Sequence, residues 1–237
     1  MAGHRQVRFV APPGSTTILL VRHGESMPFV EGEPFALVDG HADPALYVDG
    51  EEQARRVGER LASEPISAIY ATPLQRTAQT AAPLAAALGL EPRIEPDLRE
   101  VNLGEWEGGG LRKHARDGHP LIAQIFAEQR WDVVPGAERV DAFDARVRAG
   151  IERIVASHPD ELVAAFVHGG VIGSVLARAT GAQGLAFAGA DNGSISEIVV
   201  IGERWAVRRF NDTAHLLIDG PDARRPHQER RPDGGKS

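Results

Sequence analysis

Strand-length apolar runs alternate with stretches of helical periodicity along this chain, and that alternation restricts the fold more than any other feature. Apolar runs rich in β-branched residues stand at Thr17–Val21, Ile66–Ala71, Leu162–Val167 and Ile195–Ile201. Helical patterns occupy Gly50–Ser63, Pro73–Leu88, Val140–Ser157 and Val171–Thr180. Unbroken apolar strands interleaved with amphipathic helices build a mostly parallel sheet covered on both faces, so the expected class is α/β, a three-layer α/β/α sandwich. Trp205–Phe210 follows Ile195–Ile201 after Gly202-Glu203, which predicts a hairpin and one antiparallel edge strand. Residues 108–136 break the rhythm and read as a cap above the sheet, with one helical piece near Leu121–Gln129. The expected organisation is a flexible arm over 1–14, one domain over 15–218 and a disordered, Pro- and Arg-rich tail over 219–237.

Composition excludes several functions. The chain of 237 residues has 42% apolar residues, enough for one sizeable core, and no run of about 18 apolar residues for a membrane span. Its formal charge of −7 argues against a nucleic-acid partner. Cys is 0, which removes disulfides, thiolate metal sites and cysteine nucleophiles. The start of the chain has no signal-peptide pattern, so a cytoplasmic setting is expected. The apolar residues between Met27 and Leu37 offer a contact patch for a homodimer.

In an open α/β sheet the ligand binds beyond the carboxyl ends of the strands. Arg22 and His23 stand at such an end, followed by Gly24, which allows a sharp turn and a close ligand. His168 follows Leu162–Val167 and precedes Gly169-Gly170. Arg76 falls in the first turn of a helix for which Thr72 is the expected N-cap and Pro73 the first residue. Helix N-termini repel cations, and two unit charges about 5 Å apart at an effective dielectric near 20 repel by roughly 3 kcal/mol. Such a group is at rest only around an anion, and phosphate suits both the arginine forks and the helix ends. An imidazole can attack phosphorus at neutral pH, and a carboxyl, Glu100, can give a proton to the leaving oxygen and later take one from water.

With these parts in order, the chain resembles the histidine phosphatase superfamily, also called phosphoglycerate mutase-like, over about residues 17–217. The motifs are Arg22-His23-Gly24-Glu25-Ser26, Asp43-Pro44-x-Leu46 with Gly50-x-x-Gln53-Ala54, and Pro73-Leu74-x-Arg76-Thr77. Leu98-Arg99-Glu100-x-x-x-Gly104-x-Trp106-Glu107-Gly108, Val167-His168-Gly169-Gly170, Asn192-Gly193-Ser194 and Asn211-Asp212-Thr213-Ala214-His215-Leu216 complete them. The resemblance implies catalysis by His23, as phosphorylated nucleophile, and Glu100, as proton donor. It implies phosphoryl binding by Arg22, Arg76 and His168. Ser26, read by itself, is either a further substrate-binding donor or a turn cap. It implies no metal and no cofactor. The implied activity is metal-independent hydrolysis of a small phosphorylated substrate through phospho-His23. The alternatives are a cofactor-dependent phosphoglycerate mutase and a non-catalytic phospho-ligand binder.

The mutase branch carries Asn where this chain has Phe29, and a Glu-Arg-His-Tyr-Gly segment around its acid that is missing here. The form around Glu100 resembles the phosphatase branch. The long apolar stretch from Met27 to Asp39, and Arg139 where the family has Ser, bear on the substrate and not on the chemistry. His215 is expected to be a structural hydrogen-bonding residue, and Trp106 core or pocket wall.

Overall fold

A computed structural model describes residues 6–217; the expected tail at 219–237 and the first residues of the arm lie outside them. Residues 6–15 form no helix or strand. The strands are β1 (Thr16–Arg22), β2 (Leu37–Val38), β3 (His41–Ala42), β4 (Ile66–Ala71), β5 (Arg93–Ile94), β6 (Leu162–Val167), β7 (Ile195–Ile201) and β8 (Arg204–Asp212). The α-helices are α1 (Val48–Leu61), α2 (Gln75–Leu88), α3 (Gly110–Asp117), α4 (Pro120–Glu128), α5 (Val140–Ser157) and α6 (Gly169–Thr180).

Six strands form one sheet in the order β5-β4-β6-β1-β7-β8, and β2 pairs with β3 in a separate ribbon. β1 runs parallel to β6, from Thr17 opposite Leu162 to Arg22 opposite Val167. β4 runs parallel to β6 and β5. β7 runs antiparallel to both β1 and β8. The strand that opposes the rest is therefore β7, one place in from the edge, with β8 outside it as the second arm of the hairpin.

Both faces of the sheet are covered, which is why its central strands read as unbroken apolar runs. Ile18 and Leu20 of β1 pack with Phe143, Val147, Ile151 and Ile154 of α5 and with Val171, Ile172 and Val175 of α6. Leu19 and Val21 point the other way, onto Val57 and Leu61 of α1 and Ala81, Leu84 and Ala85 of α2. Each of the buried Val, Leu, Ile and Phe side chains contributes about 1.5–3 kcal/mol, so the two layers fix the strand ends that carry the polar residues.

The cap has its own small core. Trp106, Ile125 and Val134 are buried together, with Leu111, Leu121, Trp131 and Leu185 against them. It holds two helices where one was expected. The first of them, α3, begins at Gly110, at the end of the Gly108–Gly110 run. α2 likewise corrects the reading of its start. It begins at Gln75 with Leu74 as the capping position, so Pro73 lies outside it and Thr72 is not the N-cap.

Candidate active site

The carboxyl ends of β1, β4 and β6 are neighbours in the sheet, and they bring Arg22, His23, Thr72 and His168 together. The His23 amide donates to Val167 O at 3.0 Å and the Arg22 amide to Ser194 O at 3.0 Å. Asn192 Nδ2 donates to His23 O at 2.9 Å. His215 Nε2 donates to Gly193 O at 3.0 Å, which gives it the structural role expected of it.

Gly24 does not make a left-handed turn; its φ is not positive. It is needed for a close approach to the start of α1. A Cβ at Gly24 would stand 3.0 Å from Gly50 Cα, and one at Gly50 would stand 2.8 Å from Glu25 N. The two glycines let the chain just after His23 lie directly against the start of α1.

The His23 ring is fixed in one tautomer. Its Nδ1 lies 2.7 Å from Gly24 O, which can only accept, so the proton is on Nδ1. Arg76 Nε donates to His23 Nε2 at 3.3 Å, so that atom carries the lone pair. Burial, then the charges of Arg76 and Arg22, hold His23 well below the usual imidazole pKa. The ring is neutral, with Nε2 available as a nucleophile.

His168 is fully buried as the residue preceding α6, with its ring centroid 5.2 Å from that of His23. Its Nε2 meets Thr72 Oγ1 at 3.1 Å, while Nδ1 is buried with no partner. Burial, then Arg76, pushes its pKa well down. Arg22 Nε is a second buried polar atom without a partner. Orphaned buried groups are costly unless a ligand satisfies them.

Arg76 enters from the first turn of α2. It donates to Ala42 O at 2.9 Å and stands 3.9 Å from Asp43 Oδ1. Burial lowers the pKa of Arg22 and of Arg76, and Glu100 is the foremost charge opposing that shift at both. Glu100 accepts from Val101 N at 3.0 Å and, at its other oxygen, from Gly170 N at 3.1 Å. Its two acidic neighbours are placed otherwise. Glu107 is tied through both oxygens to the amides of Ala42, at 2.7 Å, and Leu103, at 2.8 Å. Glu105 is exposed.

Sequence reasoning missed Arg112. α3 carries it over the site, where Nη2 donates to Ser26 Oγ at 2.8 Å. Burial and the charge of Arg22 lower its pKa. Ser26, itself buried, is thus the support of a third arginine. A cleft of about 420 Å³ opens over His23, Ser26, Phe29, Arg112 and Asn192. Arg22, Arg112, Lys113 and Arg116 line this cleft against a single lining carboxylate, Glu25, which is the electrostatic mark of an anion site. Among the described residues, no cluster of three or more His, Asp or Glu side chains is placed to hold a metal ion.

The family profile described as histidine phosphatase superfamily (branch 1) matches residues 18–213. This chain belongs to the histidine phosphatase superfamily. Phosphoglycerate mutase-like protein 4 of Arabidopsis thaliana is 34% identical over 208 residues, 86% of this chain and 88% of that protein. Phosphoserine phosphatase 1 of Hydrogenobacter thermophilus is 29% identical over 202 residues, 84% of this chain and 93% of that protein. Among solved structures, a mycobacterial glucosyl-3-phosphoglycerate phosphatase superposes with a TM-score of 0.69 at 26% identity, covering 84% of this chain and 100% of that one. The superfamily thus accounts for nearly all of the described chain, and relatives named for mutase and for phosphatase activity both occur in it. No helix among the described residues is long and apolar enough to cross a membrane.

Proposed function

We propose that this protein is a metal-independent phosphomonoester hydrolase that works through a phosphohistidine on His23. The observation that carries the reading is the state of that ring: neutral, proton on Nδ1, lone pair on Nε2, beside Arg76 and inside a cationic pocket. His23 Nε2 attacks phosphorus in line while Arg22, Arg76 and His168 hold the phosphoryl oxygens, with Arg112 above them. The P–O bond to the alcohol breaks, and Glu100 gives its proton to the leaving oxygen. Water then attacks phospho-His23, Glu100 takes the proton, and free phosphate leaves.

The phosphatase is favoured over a mutase by Phe29. It lines the cleft over His23 where the mutase branch carries Asn, and its ring offers no hydrogen-bond donor there. A non-catalytic binder has no need of both the tautomer-locked His23 and the carboxyl at Glu100. The cytoplasmic setting and the homodimer belong to the same reading. The cysteine-free sequence suits a reducing compartment, and Met27, Val30 and Leu37 are exposed. The test is phosphate release from p-nitrophenyl phosphate, run beside interconversion of phosphoglycerates. Release with no interconversion is expected; interconversion faster than release would overturn the reading.

A further inference from the structure

Arg22 lines both the His23 cleft and a second, larger groove of about 810 Å³. Glu100 lines this groove and His23 does not. Phosphoryl transfer is close to in line, so the leaving alcohol departs on the side of phosphorus opposite Nε2 of the nucleophile. The proton donor must also stand on that side. A groove that contains the carboxyl and the phosphate-facing arginine, but not the nucleophile, lies where the alcohol has to go. We infer that this groove holds the alcohol portion of the substrate, and that the substrates are phosphomonoesters of long, uncharged, largely apolar alcohols. The inference rests on the phosphatase reading above.

The walls support that chemistry. One face of α6 presents Gly169, Gly170, Gly173, Ser174 and Ala177, spaced at i, i+1, i+4, i+5 and i+8, so the floor is low along two turns. Leu111, Phe126, Trp131 and Leu185 face it from the cap and the loop after α6. Phe126 is 57% exposed, and the other three are only half-buried, which leaves apolar surface for a ligand to cover.

Most of the rim charges are already paired. Arg130 pairs with Asp132 at 2.6 Å and Arg148 with Glu152 at 2.7 Å. Asp141 pairs with Arg139 at 2.8 Å, and Asp144 accepts from Ser174 Oγ at 2.6 Å. Arg178 lies over the Trp205 ring, 5.0 Å from its centroid. A hydrocarbon in the groove leaves all of these contacts in place.

The test is kcat/KM for a series of n-alkyl phosphates from ethyl to octyl. For the wild type it should rise roughly two- to fourfold per methylene, the gain that burying a CH₂ supplies, until the groove is filled. Ala177→Trp narrows the groove from a half-buried position outside the reacting centre. It should lower kcat/KM for octyl phosphate by about tenfold or more and leave ethyl phosphate within about twofold. Ala177→Leu, a milder change, should lose about threefold on octyl phosphate alone. A flat chain-length profile, with ethyl phosphate turned over normally, would overturn the groove inference and leave the phosphatase reading standing. Failure of every ester, with no phosphate on His23, would overturn the reading and the inference with it. If Ala177→Trp changed the sedimenting mass but not the chain-length profile, the groove would be an interface between copies and the inference would be wrong.

Discussion

Gly170→Ala separates proton delivery from the rest of the site. A Cβ at 170 would overlap Glu100 Oε1 and stand 3.2 Å from Glu100 Cδ. The obstacle is the end of a side chain, so the carboxyl gives way before the backbone does. To regain ordinary van der Waals separation it has to move by roughly 1 Å, a displacement that costs about 100-fold where geometry decides the rate. The move also strains the hydrogen bonds that aim the carboxyl, from the Val101 amide to Oε1 and from the Gly170 amide to Oε2. General acid catalysis is worth about 10²–10⁴-fold, and only for a leaving group that needs the proton. Turnover of an alkyl phosphate should therefore fall by about 100-fold, and that of p-nitrophenyl phosphate by less than about fivefold. Glu100→Gln should give the same pattern. The substitution itself is mild for the helix, since Ala is favoured over Gly by up to about 1 kcal/mol in a helix, so the thermal midpoint should hold or rise. The assay is steady-state kinetics on both esters with a melting curve for each protein. Equal losses on the two esters, or an alkyl ester within threefold of wild type, would refute the placing of Glu100 as the acid.

Other outcomes follow from the same geometry. Arg112→Ala should lower kcat/KM by roughly tenfold to a hundredfold, the range for one lost charged donor at a transition state. Because Arg112 is among the charges that depress His23, its removal should also move the acid limb of the pH–rate profile to higher pH; a shift downward would contradict the account. His23 and His168 both have folded pKa values depressed below the unfolded one, near 6.5. Below about pH 6.5 the unfolded chain binds protons that the folded chain refuses, so stability falls as pH falls, by up to about 1.4 kcal/mol per pH unit for each group. His168→Asn should remove its share, which denaturant midpoints at about pH 7 and about pH 5.5 will show as a shallower slope; an unchanged slope would count against it. Activity should withstand EDTA, because the arginines supply the charge a metal would otherwise bring; loss restored by magnesium or zinc would refute this.

The central strands were legible because burial on both faces leaves an unbroken apolar run. β4, β6 and β7 begin and end where those runs do. The short exposed strand β5 and the β2–β3 ribbon carry no such signal, since two-residue pairings leave no periodicity to read. That His23, Arg22, Arg76 and His168 lie together was legible because cations at strand ends and helix starts conflict with the local electrostatics. Arg112 sits on a polar helix that begins at the third of three glycines, and its link to Ser26 spans 86 residues, so no local pattern announces it. The role of Gly24 was misread for a related reason. A close approach between backbones depends on which glycine lies opposite, and that partner, Gly50, belongs to another element.

The covalent intermediate tests the account's central claim most directly. Wild-type enzyme turning over ³²P-labelled phosphomonoester, quenched within milliseconds into alkaline denaturant, should carry label in an acid-labile, base-stable bond. Peptide mapping should place it on His23 Nε2, and His23→Ala should show neither label nor turnover. Label on another residue, or phosphate release that survives His23→Ala, would contradict it.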